Sequence, residues 1–138
     1  MPPALLIIDD NLSVRESLVF LFEHRGYRVS AADGGAAGIA LAKEQAFDGA
    51  IVDVNMPGMD GIQTCRALKV QAEKQGRPLP VWMMTGVGTT AVVQAAKEAG
   101  AITVFSKPFD FPELFRHFDA VMGPVEPPKR PADPLDDL

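Results

Sequence analysis

The chain has 138 residues, 47 % hydrophobic and 22 % charged, which suits one globular domain and leaves no room for two full ones. Its net charge of −5 argues against a protein that lives mainly on attraction to a phosphate backbone. A single cysteine excludes an intrachain disulfide and a multi-cysteine zinc site, and His24 and His117 lie too far apart to suggest a metal motif.

The first apolar run, Ala4–Ile8, stops at Asp9-Asp10. It lacks a basic leader and is shorter than the ~7–15 apolar residues of a signal peptide. No stretch approaches the ~18 apolar residues of a membrane span. The expectation is a cytoplasmic protein with no membrane contact.

Ala4–Ile8 reads as a strand buried on both faces. A helix follows, with Ser13-Val14-Arg15-Glu16 as its capping box and Val14, Leu18, Leu21 and Phe22 on one face. Gly26, after His24-Arg25, stops it. Tyr27–Ala32 alternates apolar and polar, as an edge strand does. An alanine-rich helix covers about Ala36–Gln45. Ala50–Val54 is a third strand, and a third helix runs from near Gly61 to Gly76, with Ile62, Cys65, Leu68 and Ala72 inward. Val81–Met84, a helix over Thr90–Ala99, and Ile102–Phe105 come next. The last helix has Asp110 as N-cap, Pro112 in its first turn and an apolar stripe of Phe111, Leu114, Phe115, Phe118 and Met122. Residues 1–123 therefore form one domain. Residues 124–138 hold five of the 12 prolines and no apolar periodicity, so a disordered, proline-rich acidic tail or linker is expected there.

Five strands alternating with five helices predict a (βα)5 α/β fold, a doubly wound parallel sheet with helices on both faces. Ligands of such sheets bind at the carboxyl ends of the strands. The residues leaving the strands here are Asp9-Asp10, Asp53, Thr85-Gly86 and Lys107-Pro108. Aspartate is depleted in strands, which singles out Asp53. Three acids and one lysine leave a formal charge of −2, which a divalent cation balances. Oxygen ligands without His or Cys favour Mg2+. The site looks built to receive a phosphoryl group, with one carboxylate as nucleophile.

Taken in order, Asp9-Asp10, Asp53 with Met56-Pro57-Gly58-Met59-Asp60-Gly61, Thr85-Gly86 and Lys107-Pro108-Phe109 resemble the signature of response-regulator receiver domains of two-component signalling. The likeness spans about residues 4–122. It implies a flavodoxin-like fold with strand order 2-1-3-4-5, which would set Asp9, Asp10 and Asp53 together. It implies a phosphoacceptor domain that takes a phosphoryl group onto Asp53 from a histidine kinase or phosphotransfer protein, and that catalyses only its own phosphorylation and dephosphorylation. It further implies Mg2+ held by Asp10, Asp53 and the Asn55 backbone carbonyl, with Asp9 acting through water. Lys107 would pair with the phosphoryl group, the Thr85 hydroxyl would turn toward it, and Phe105 would be the aromatic switch residue. Lys107-Pro108 would be cis. The output would be a changed surface on the fourth helix, fifth strand and fifth helix. That surface would dock a protein target or effector domain, or form a phosphorylation-dependent dimer.

A phosphohydrolase of the haloacid-dehalogenase type also uses Asp, Thr and Lys at strand ends, but it needs a second Asp where this chain has Asn55. A flavin or dinucleotide binder is disfavoured because Ile8–Ser13 offers no glycine-rich loop and two acids would repel a phosphate. No helix-turn-helix is present, so direct nucleic-acid binding is not expected. A stand-alone regulator and one part of a larger protein both stay open. His24 and His117 read as solvated helix residues, Cys65 as a small core residue, and Trp82 as packing.

Overall fold

The computed structural model describes residues 2–123; the expected tail lies outside them. In chain order the elements are β1 (Ala4–Ile8), α1 (Leu12–His24), β2 (Arg28–Ala32), α2 (Gly35–Glu44) and β3 (Gly49–Asp53). They continue with α3 (Gly61–Gln75), β4 (Val81–Thr85), α4 (Thr90–Glu98), β5 (Thr103–Ser106) and α5 (Phe111–Met122). All strands are parallel, in the order β2-β1-β3-β4-β5. This is the doubly wound, flavodoxin-like sheet that the alternation and the family likeness predict.

Side chains alternate across a strand, so each strand feeds two cores. Leu6, Ile8, Val52 and Met83 join Cys65, Leu68 and Ala96 on the face covered by α2, α3 and α4. Leu5, Ile7, Ile51, Trp82 and Met84 join Leu18, Phe22, Leu114 and Phe118 on the α1 and α5 face. Val19 packs on this second core, and Leu21 does not. The register sets Ile8 beside Val52, Asp53 beside Met84, and Thr85 beside Ser106. The strands therefore deliver their last residues to one end of the sheet.

Three local expectations are corrected. α1 starts earlier than Ser13: Asn11 is the N-cap, and its side-chain oxygen accepts from the Val14 N–H at 3.0 Å. Ser13 and Glu16 already lie inside the helix. A true capping box occurs at α3, where Asp60 and Gln63 satisfy each other's backbone N–H. β5, whose nearly continuous apolar run suits a strand buried on both faces, is half-buried because it forms an edge of the sheet. As expected, α5 is capped by Asp110, whose carboxylate accepts from the Glu113 N–H.

Two glycines are required where they stand. Gly58 has φ +78° and follows Pro57, which permits a tight turn. At Gly61 a Cβ would collide with the backbone carbonyl of Asp53, so only glycine lets α3 begin this close to the end of β3. Met56 is buried beside this loop, while Met59 stays partly exposed.

Candidate functional site

Each acid arrives by a different local route. Asp9 follows β1 and is fully buried. Its Oδ1 accepts from the Asn11 N–H at 2.9 Å, and its Oδ2 accepts from Lys107 Nζ at 3.2 Å. Asp10 is exposed. Asp53 ends β3 and is 4 % exposed. Its Oδ1 lies 3.6 Å from Lys107 Nζ and accepts from the Asn55 N–H at 3.4 Å. Its Oδ2 accepts no hydrogen bond among the described residues. Carboxylate oxygens of Asp9, Asp10 and Asp53 all lie within 4.8 Å of one another.

The electrostatics follow from that crowding. Burial and the Asp9 carboxylate push the Asp53 pKa up from 3.8 to about 6. Lys107 and the Asn55 N–H pull the other way, and Asp10 adds a smaller upward push. Lys107 thus bridges Asp9 and Asp53 without neutralising both. The Lys107–Pro108 peptide bond is cis, as the family likeness implies.

Thr85 ends β4 and is fully buried, yet its hydroxyl is engaged with its own loop. Thr85 Oγ1 donates to the Val87 carbonyl at 3.0 Å and accepts from the Val87 N–H at 3.1 Å. The loop from Gly86 to Thr90 is exposed throughout. Phe105 sits half-buried on β5, level with Met84. Asp9, Asp10, Asp53, Asn55, Thr85 and Lys107 therefore all lie at the carboxyl end of the sheet, and Phe105 lies one strand position below Ser106, on the α5 face.

Two residues near this region were not anticipated. Arg15, placed on α1, donates from its guanidinium to the Asp9 carbonyl at 2.8 Å and pins the β1–α1 turn. Its place one helical turn past Asn11 was the available signal. His117 was expected in solvent but is half-buried, with its Nε2 enclosed and unpartnered. It stands three residues after Leu114, on the border of the apolar stripe, where its ring packs edge to face on Trp82 and Phe105. His24 is exposed, and Trp82 is fully buried. Cys65 is a core residue whose thiol burial pushes up to about 11.

No helix among the described residues is long and apolar enough to cross a membrane. The family model "Response regulator receiver domain" matches residues 5–119. The chain is 32 % identical over 134 residues to Response regulator MprA of Mycobacterium sp. (strain KMS), covering 97 % of this chain and 56 % of that protein. It thus spans little more than half the length of that relative. It is 34 % identical over 114 residues to Sporulation initiation phosphotransferase F of Bacillus subtilis (strain 168), covering 83 % of this chain and 89 % of that protein. The chemotaxis protein CheY4 of Vibrio cholerae superposes with a TM-score of 0.80 at 30 % identity, covering 88 % of this chain and 99 % of that one. With the acids, threonine and lysine gathered at the strand ends, the chain belongs to the response regulator receiver domain family.

Proposed function

We propose that residues 1–123 work as a phosphoacceptor domain in which Asp53 takes a phosphoryl group from a phosphohistidine of a kinase or phosphotransfer protein. The observation that carries this reading is the state of Asp53: nearly buried, one oxygen held by Lys107 and Asn55, the other without a hydrogen bond. An Asp53 oxygen attacks phosphorus, the P–N bond breaks, and the donor imidazole keeps the electron pair.

The acids fit a divalent cation. Their oxygens lie close together, Asp10 is open to solvent, and the set contains only hard oxygen donors. Asp10, Asp53 and the Asn55 backbone carbonyl would hold Mg2+, with Asp9 reached through water. Bound there, Mg2+ would offset the carboxylate charge and that of the incoming phosphoryl oxygens. Lys107 would leave the Asp9–Asp53 bridge to pair with a phosphoryl oxygen. Thr85 would exchange its Val87 bonds for a bond to the same group, and Phe105 would fill the space vacated beside β4. The protein acts on itself here, not on a separate substrate.

The donor would approach over the start of α1, where an open, mainly apolar cleft of about 320 Å3 is lined by Val14, Leu18, Pro108 and Phe111 and reaches Lys107. The target, an effector domain or a second copy would read the α4-β5-α5 face. The test is acetyl phosphate with Mg2+. One alkali-labile phosphoryl group should appear and should be lost in Asp53→Asn. Labelling of that variant at another residue at the parent rate would overturn the assignment.

A further inference from the structure

We infer that His117 is a positioning residue for Phe105: its imidazole, packed edge to face on Phe105 and Trp82, lines the resting place of that ring with its own nitrogen unpaired, and opens to water when the ring withdraws toward Thr85, so that it favours the withdrawn state. This rests on the proposed switching of the site and assigns it a route into α5.

The packing is specific. The His117 ring meets Phe105 edge to face, at 5.5 Å between centroids and 83° between planes. It meets Trp82 the same way, at 6.1 Å and 88°. Trp82 is itself stacked on Phe118, at 4.1 Å and 29°. His117 therefore joins a half-buried ring on an edge strand to a fully buried ring at the centre of the α1 and α5 core. Two strand positions beyond Trp82 on β4 lies Met84, the residue in register with Phe105, and Thr85 follows it.

The imidazole is not at ease there. Its Nε2 is buried with no hydrogen-bond partner, an unfavourable state for a nitrogen that either donates or accepts. Phe105 packs edge to face on that imidazole. Its withdrawal would let water reach Nε2, so the moved state gains a hydrogen bond that the resting state lacks. α5 itself is anchored through buried Leu114 and Phe118. The first response of α5 is therefore a local one at the imidazole, not a shift of the helix.

The chain supplies its own probes, because it has one tryptophan and two histidines, and His24 is an exposed internal control. The experiment follows the imidazole 15N and 1H signals, the Trp82 indole signal and the Asp53 amide while Mg2+ and beryllofluoride are added to the full chain. The expected result is a shift of the His117 and Trp82 signals in step with the Asp53 amide, with His24 unmoved. Phe105→Ala should keep the Asp53 response and lose the one at His117. His117→Phe removes the buried nitrogen and keeps a ring. It should raise the beryllofluoride concentration that half-saturates the Trp82 response by about fivefold or more, the low end for an unpaired buried polar group. An Asp53 amide that responds while the parent His117 ring does not overturns the inference, with no variant needed. An Asp53 amide that ignores beryllofluoride overturns the reading of the acid site instead, and this inference falls with it.

Discussion

The strand ends of β1 and β3 differ from those of β4 and β5. At the first pair, Asp9 is fully buried and held from two sides, Arg15 pins the turn that follows, and Gly61 lets α3 close against Asp53. At the second pair, the Thr85 hydroxyl is tied only to Val87 in an exposed loop, β5 is half-buried, and α4 buries one residue, Ala96. The lesson is a division of labour. The acid side is charged and closely packed, with Lys107 bridging two of its carboxylates. On the threonine side the backbone is paired, with the Lys107 N–H on the Thr85 carbonyl at 2.8 Å, and it is the Thr85 hydroxyl, tied only to its own exposed loop, that we propose turns in response.

The largest expected effect concerns the core that underlies both sides. Phe118 stacks on Trp82 and contacts Phe22 at the centre of one core, so Phe118→Ala should cost about 3–5 kcal/mol in urea unfolding. Next is the pH dependence of Asp53. A carboxyl whose folded pKa of about 6 exceeds its ordinary 3.8 binds protons more tightly in the folded state. Its contribution is thus fully present below about pH 4 and is lost as pH rises through about 6, with a ceiling of about 3 kcal/mol. Asp53→Asn should be the more stable protein at pH 7, and its unfolding free energy should lack that slope. An identical slope in both proteins would place the titration elsewhere.

A smaller effect is expected for Asp10. Exposed and free of protein hydrogen bonds among the described residues, it is available to a cation. Asp10→Asn should weaken Mg2+ binding about tenfold or more by calorimetry, equivalent to about 1.4 kcal/mol, with little change in metal-free stability. The smallest effect concerns the threonine side. Ala95→Gly in α4 should cost about 1 kcal/mol, mostly backbone entropy, because that position is only half-buried.

Much of the acid side was legible in the sequence. Apolar runs that stop at Asp9-Asp10 and Asp53 place the acids at strand ends, and the alternation of elements places those ends together. Adjacency of β1 and β3 was not in the periodicity; it came from the family likeness, and the sheet order agrees. The start of α1 was misplaced because Asn11 and Ser13 both suit a cap, and only the backbone decides between them. The threonine side was less legible. A threonine after a strand does not disclose which way its hydroxyl points. An apolar run such as Ile102–Phe105 does not disclose that its strand lies at an edge. His117 was misjudged for the same reason: its burial depends on Phe105 and Trp82, which come from two strands distant in sequence.

The most direct test of the division between the acid side and the threonine side is amide hydrogen exchange with and without Mg2+ and beryllofluoride. Changed protection is predicted in the loops after β1 and β3 and, beyond them, in Gly86–Thr90, α4 and β5, with the cores of β1 and β3 unchanged. Changes confined to the loops after β1 and β3 would contradict the account, because the acid site would then be filled without releasing Thr85 or moving Phe105.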